Sequence, residues 1–127
     1  MILLDTQSLL WLLFEPERIG ARSRGQISES PKVYASAISH VEIRIKQALR
    51  KIRVPENFLS EVGRAGLVAL PMTDRHASAL LEFPELVGHD PFDRQILAQA
   101  HAEGLTLLTS DRRLLGLVRD WIVDVRR

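Results

Sequence analysis

Five short apolar runs, separated by longer stretches with helical periodicity, constrain this chain more than any other feature. The runs cover residues 2–4, 32–35, 67–70, 105–108 and 121–125. Runs of this length read as strands, and the segments between them are long enough for helical crossovers. The alternation predicts an α/β fold, one domain with a mainly parallel central sheet flanked by helices. Helices are expected over residues 8–14, stopped by Pro16, and over residues 17–29 and 41–49. Further helices are expected from Pro55 to near Gly66, over residues 74–82, from Asp90-Pro91 to Gly104, and over residues 111–117. Asp90-Pro91 is the clearest start, with Asp as the cap and Pro in the first helical position. Phe92, Ile96, Leu97 and Ala100 should face inward from that helix. Residues 83–89, with Pro84 and Gly88, are expected to form a loop.

A chain of 127 residues suits one domain with a real core. It has no cysteine, which excludes disulfides and thiolate metal sites. Its longest N-terminal apolar stretch, residues 9–14, is far short of the roughly 20 residues a membrane-spanning helix needs, so no membrane association is expected. The opening residues carry no basic leader, so no secretory signal is read and a cytoplasmic location is expected. A net charge of +1 does not by itself advertise a nucleic-acid binder. The distribution says more, because Arg44, Lys46, Arg50, Lys51 and Arg53 crowd one stretch. That stretch suits either a phosphodiester backbone or a solvated helix face.

Four acids stand where four separate segments end or begin. Asp5 closes the first apolar run, Glu42 follows Ser39 into a helix, Asp93 with Asp90 opens another, and Asp111 follows the run ending at Leu108-Thr109. Each has a structural explanation. Asp5, Asp90 and Asp111 are good helix caps, Asp93 complements a helix dipole, and Ser39-His40-Val41-Glu42 fits a capping box. Glu42 and Lys46 are also spaced for an i, i+4 ion pair. If the runs are strands of one parallel sheet, their carboxyl ends face one side, and the acids are expected to gather there, where open α/β sheets place their sites. Carboxylates so placed repel one another unless a cation lies among them, and Mg²⁺ or Mn²⁺ is the natural oxygen-seeking candidate.

Leu3-Leu4-Asp5-Thr6, Ser36-Ala37-Ile38-Ser39-His40-Val41-Glu42-Ile43 with Lys46, the stretch from His89-Asp90-Pro91-Phe92-Asp93-Arg94 through Ala100, and Leu107-Leu108-Thr109-Ser110-Asp111 occur in this order. In these stretches the chain resembles the PIN-domain ribonucleases, and among them the toxin components of bacterial VapBC-type toxin–antitoxin pairs. Gln7 stands where many relatives have His, and Val41 where many have Trp; neither departure replaces a carboxylate. The resemblance implies cleavage of RNA with Mg²⁺ or Mn²⁺ held by Asp5, Glu42, Asp93 and Asp111. It also implies a small cognate antitoxin that inserts a basic side chain among the acids, and a homodimer. The first two helices carry more apolar residues than one core-facing stripe requires and are the expected source of both interfaces.

Around those acids, Thr6 and Thr109 are candidates to position waters or a phosphate oxygen. Ser39 is expected to cap its helix and so orient Glu42, and Asp90 to cap rather than ligate. Arg44, Lys46 and Arg112 are candidate phosphate contacts. His40, His76, His89 and His101 are scattered, with no i, i+4 pair on one helix, and are not read as a metal site. His89 is read as a loop residue able to touch substrate but more often a bystander. Trp11, Phe14 and Trp121 are assigned to core or interface. An Asp-x-Asp phosphatase is disfavoured because Asp5 is followed by Thr6-Gln7, and a receiver-like module because residues 34–37 hold no acid. The remaining rival is a PIN-like binding or regulatory subunit that does not cut.

Overall fold

A computed structural model describes residues 1–127. Strands β1 (Ile2–Leu4), β2 (Val33–Ser36), β3 (Val68–Leu70), β4 (Thr106–Thr109) and β5 (Ile122–Asp124) form one sheet in the order β3-β2-β1-β4-β5. Every neighbouring pair is parallel. Helices α1 (Thr6–Phe14), α2 (Ala21–Glu29), α3 (Ala37–Ala48), α4 (Phe58–Arg64), α5 (Asp74–Ser78), α6 (Pro91–Glu103) and α7 (Arg112–Leu115) fill the connections. No helix is long and apolar enough to cross a membrane.

The uninterrupted apolar character of β1 fits its central place, because a strand covered on both faces has no solvent side to alternate with. Successive side chains point to opposite faces. Leu3 and Leu107 therefore join Ile96, Leu97 and Ala100 of α6 in one core, while Leu4 and Leu108 join Leu9 of α1 and Phe58 of α4 in the other. Leu3, Leu4, Leu107 and Leu108 are fully buried, each contributing about 1.5–3 kcal/mol. Helix α3 belongs to both cores, through Ile38 on one side and Ile43 on the other. Trp121 packs against the first core and Trp11 against the second, as expected.

Several expected boundaries move, each for a local reason. Helix α1 begins at Thr6 because the Asp5 side chain accepts from the Ser8 amide and caps it there. Pro16 does more than stop α1: it opens a 3-10 turn, Pro16–Arg18, after which Ile19 is extended and buried before α2 starts. Pro55 closes a turn onto the Phe58 amide rather than starting α4. The expected helix over residues 74–82 divides into α5 and a 3-10 turn, Ala79–Glu82. Gly20 packs against the chain end so closely that a Cβ there would lie 2.0 Å from the Arg127 carbonyl carbon.

The first two helices supply less open apolar surface than expected. Only Phe14 of α1, and no residue of α2, is a large exposed apolar side chain, because Leu10, Trp11, Leu12, Leu13 and Ile27 pack against the second core. Exposed apolar residues instead line one face of α3, at Val41 and Ile45 and on to Leu49 at its C-cap, with Leu59 on α4.

Candidate active site

From β1 the chain moves outward through β2 to β3, then returns to the other side of β1 for β4 and β5. The crossovers thus reverse direction between β1 and β4, and such a switch leaves a crevice at the carboxyl ends of the strands. Asp5 leaves β1 at that crevice, its amide bonded to the Leu108 carbonyl at 3.2 Å. Ser110 and Asp111 leave β4 beside it. An open cavity of about 440 Å³ lies there, lined by Asp5, Glu42, Asp90, Asp93 and Asp111 together with Lys46 and Lys51. Acids from all four expected segments converge on it.

Capping and site-building coincide in three of these residues. Asp5 Oδ1 accepts from the Ser8 amide at 2.8 Å, while its Oδ2 accepts from the Thr109 hydroxyl. Asp90 Oδ1 accepts from the amides of Phe92 and Asp93, at 2.8 and 3.2 Å. Asp111 Oδ1 accepts from those of Arg113 and Leu114, at 2.9 and 3.0 Å. In both Asp90 and Asp111 the cap occupies one oxygen and leaves the other to the crevice. Thr109 joins two acids, since its oxygen also accepts from the Asp111 amide at 3.0 Å.

Glu42 is reached differently from what its sequence context predicts. Helix α3 starts earlier than expected, capped by the Ser36 hydroxyl at the end of β2, which accepts from the Ile38 amide at 2.9 Å. Ser39 therefore lies inside the first turn, and no capping box with Glu42 forms. The Thr6 hydroxyl instead donates to Glu42 Oε1 at 2.7 Å and lies 2.9 Å from the Ser39 hydroxyl. Lys46 Nζ donates to Glu42 Oε2 at 2.6 Å, the expected i, i+4 pair. Ser39 thus supports Glu42 through Thr6.

The electrostatics record the crowding. Asp93 is pushed up to about 8, by burial first and then by the charges of Asp5, Asp90, Asp111 and Glu42. Burial raises Asp5 as well, against hydrogen bonds from Thr109 and Ser8 that favour its ionised form. Lys46 is raised by its bond to Glu42, with Asp90 and Asp93 adding to the effect. Five carboxylates face two ammonium groups in this pocket. Its donor set is overwhelmingly oxygen, which fits a hard divalent cation.

Among the candidate phosphate contacts, the structure brings in Lys46 and leaves two aside. Arg44 turns outward to His40 Nε2 at 3.1 Å and Gln47 Oε1 at 2.7 Å. Arg112 is exposed and does not line the cavity. Lys51 of the basic stretch and Gln7 also line it, as does Ser110, to which the sequence reading assigned no role. His89 was set aside as a loop residue, yet its Nε2 lies 3.5 Å from Asp93 Oδ2 and 3.4 Å from Asp111 Oδ2. Its separation from Asp93, four residues, was the available signal.

A family model described as the PIN domain matches residues 2–118. The ribonuclease VapC22 of Mycobacterium tuberculosis is 28% identical over 120 residues, covering 89% of this chain and 88% of that protein. The structure of VapBC2 from Rickettsia felis, bound to a DNA fragment from its promoter, superposes with a TM-score of 0.68 at 17% identity. That match covers 93% of this chain and 94% of the other. FitAcB from Neisseria gonorrhoeae superposes with a TM-score of 0.54 at 27% identity, over 87% of this chain and 88% of that one. Since the matched model runs from β1 past Asp111 and takes in all four acid-bearing segments, the chain belongs to the PIN-domain family.

Proposed function

We propose that this protein is a metal-dependent endoribonuclease, acting as the toxin of a toxin–antitoxin pair, with Asp5, Glu42, Asp93 and Asp111 as its catalytic, cation-holding residues. The observation that carries this reading is the convergence of those four side chains from separate segments on one open cleft. The similarity to VapC22 supports RNA as the substrate, and a solved toxin–antitoxin complex that shares the fold supports a protein partner. Mg²⁺ or Mn²⁺ held by the four acids supplies, when bound, an activated water for attack on phosphorus and charge neutralisation at the leaving oxygen.

The chain's own residues prepare that site. Thr109 and the Ser8 amide fix both oxygens of Asp5, so the carboxylate does not reorient as substrate arrives. Thr6 and Lys46 hold Glu42 in the same way from either side. Lys46 and Lys51 place positive charge at the pocket wall, where a phosphodiester needs it to approach an acidic centre. The antitoxin inserts a basic side chain among the carboxylates, exchanging their repulsion for charge-assisted hydrogen bonds. The stripe of Val41 and Ile45 on α3 with Leu49 at its C-cap offers apolar area for the antitoxin or a second copy of the chain.

The test is cleavage of a structured RNA pool by purified, partner-free protein with Mg²⁺ or Mn²⁺, beside reactions containing EDTA or the Asp5→Asn variant. Cutting should require both the metal and Asp5, with the variant at least about 100-fold slower. Cutting that survives both changes would overturn the carboxylate mechanism. Metal binding without cutting by the folded protein would favour a binding subunit.

A further inference from the structure

A buried imidazole nitrogen lies behind two of the pocket's carboxylates, although its ring does not line the open cavity. His89 Nε2, Asp93 and Asp111 offer three ligand atoms that all lie within 4.8 Å of one another. The 3.4 and 3.5 Å separations from the two carboxylates exceed the roughly 2.7–2.9 Å of a charge-assisted hydrogen bond. They are close to the spacing of neighbouring ligands on one ion. Donors about 2.0–2.1 Å from a common centre sit about 2.8–3.0 Å apart at octahedral angles and about 3.3–3.4 Å apart at tetrahedral ones. The same nitrogen is buried and has no hydrogen-bond partner.

The backbone sets the ring there. A 3-10 turn, Pro84–Leu86, is followed by Gly88 at φ +90°, a conformation that favours glycine. The His89 amide then donates to the Leu86 carbonyl at 2.9 Å. His89 immediately precedes the Asp90 cap of α6, so the helix that carries Asp93 also fixes the ring's position.

Resting on the reading of the pocket as a divalent-cation site, we propose that His89 is a third ligand beside Asp93 and Asp111. Its nitrogen shifts the site's preference from Mg²⁺ towards transition ions such as Mn²⁺. Mg²⁺ prefers oxygen and sheds water reluctantly, whereas first-row transition ions accept imidazole more readily. The remaining acids, Asp5 and Glu42, are each already held by a hydroxyl and a second donor and line the same pocket.

The experiment is pulsed electron paramagnetic resonance of Mn²⁺ bound to the full chain, with Mg²⁺ competition read in the same samples. Nitrogen coupling to Mn²⁺ is expected in the native protein and should vanish in His89→Gln and His89→Asn. Mn²⁺ affinity should fall about tenfold or more in both variants while Mg²⁺ affinity changes by less than about threefold. Mn²⁺ held by oxygen alone in the native protein would overturn the role of His89 and leave the cation site standing. Nitrogen coupling that persists in both variants would overturn it equally. Folded native protein that binds no Mn²⁺ would overturn this inference together with the metal-dependent reading. The native spectrum decides the matter even where a variant folds poorly.

Discussion

Asp90 and Asp111 each give one carboxylate oxygen to a helix N-terminus and keep the other for the cleft, and Asp5 does nearly the same with Thr109 on its second oxygen. Cap and site residue are therefore not competing explanations, since a carboxylate has acceptors enough for both. Thr109 shows how tightly the pieces are tied. Replacing it with Val keeps its shape but strands a buried Asp5 oxygen and the Asp111 amide. Thr109→Val should cost about 1–3 kcal/mol in urea unfolding and slow cleavage as well. Asp93 provides a pH signature. Its folded pKa of about 8 lies far above the ordinary carboxylate value of about 3.9, so the folded state holds the extra proton between those limits. Stability from this group is then full at low pH and is lost as pH rises towards 8. In metal-free protein, Asp93→Asn should gain melting temperature over the native chain as pH goes from about 5 to about 8, then level off. A gap that stays constant with pH would contradict this.

At the scale of elements, the strands and the Asp90-Pro91 helix were legible because their signals are local: apolar runs, a cap and a proline at the right position. The start of α3 was not. Both Ser36 and Ser39 suit a cap, and Ser36 prevails because it ends the interior strand β2, where its hydroxyl also bonds Gln99. The choice lay in a contact 63 residues away, which local pattern does not carry. The segment after α7 carries its own strain, with Val118 at φ +53° and 84% exposed. A β-branched residue in the left-handed region pays about 1–2 kcal/mol, whereas Asn tolerates it. Because little apolar burial is lost there, Val118→Asn should raise stability by about 0.5–1 kcal/mol in thermal or urea melts.

For the whole molecule, a cation among repelling carboxylates should bind the folded state and hardly the unfolded chain. At an ion concentration 100 times its dissociation constant, the native protein should gain about 2.7 kcal/mol, and Asp5→Asn much less. Calorimetric melts with and without Mg²⁺ or Mn²⁺ check this, and equal shifts in both proteins would argue against Asp5 as a ligand. The sequence by itself determined the β–α alternation, the burial of β1 and β4, and the placing of an acid at the end of each. These follow from runs, periodicities and caps that a few neighbouring residues specify. Only the tertiary structure decided that β1 and β4 lie side by side with the switch between them, so that the ends carrying Asp5 and Asp111 meet. The pairing of Lys46 with Glu42 was legible in the helical spacing, which turns Arg44, two residues earlier, to another face. His89 joined the acids only through the tertiary structure. Which way a side chain points depends on a turn, a glycine and the packing of α6, and that direction is fixed only when the whole chain has closed.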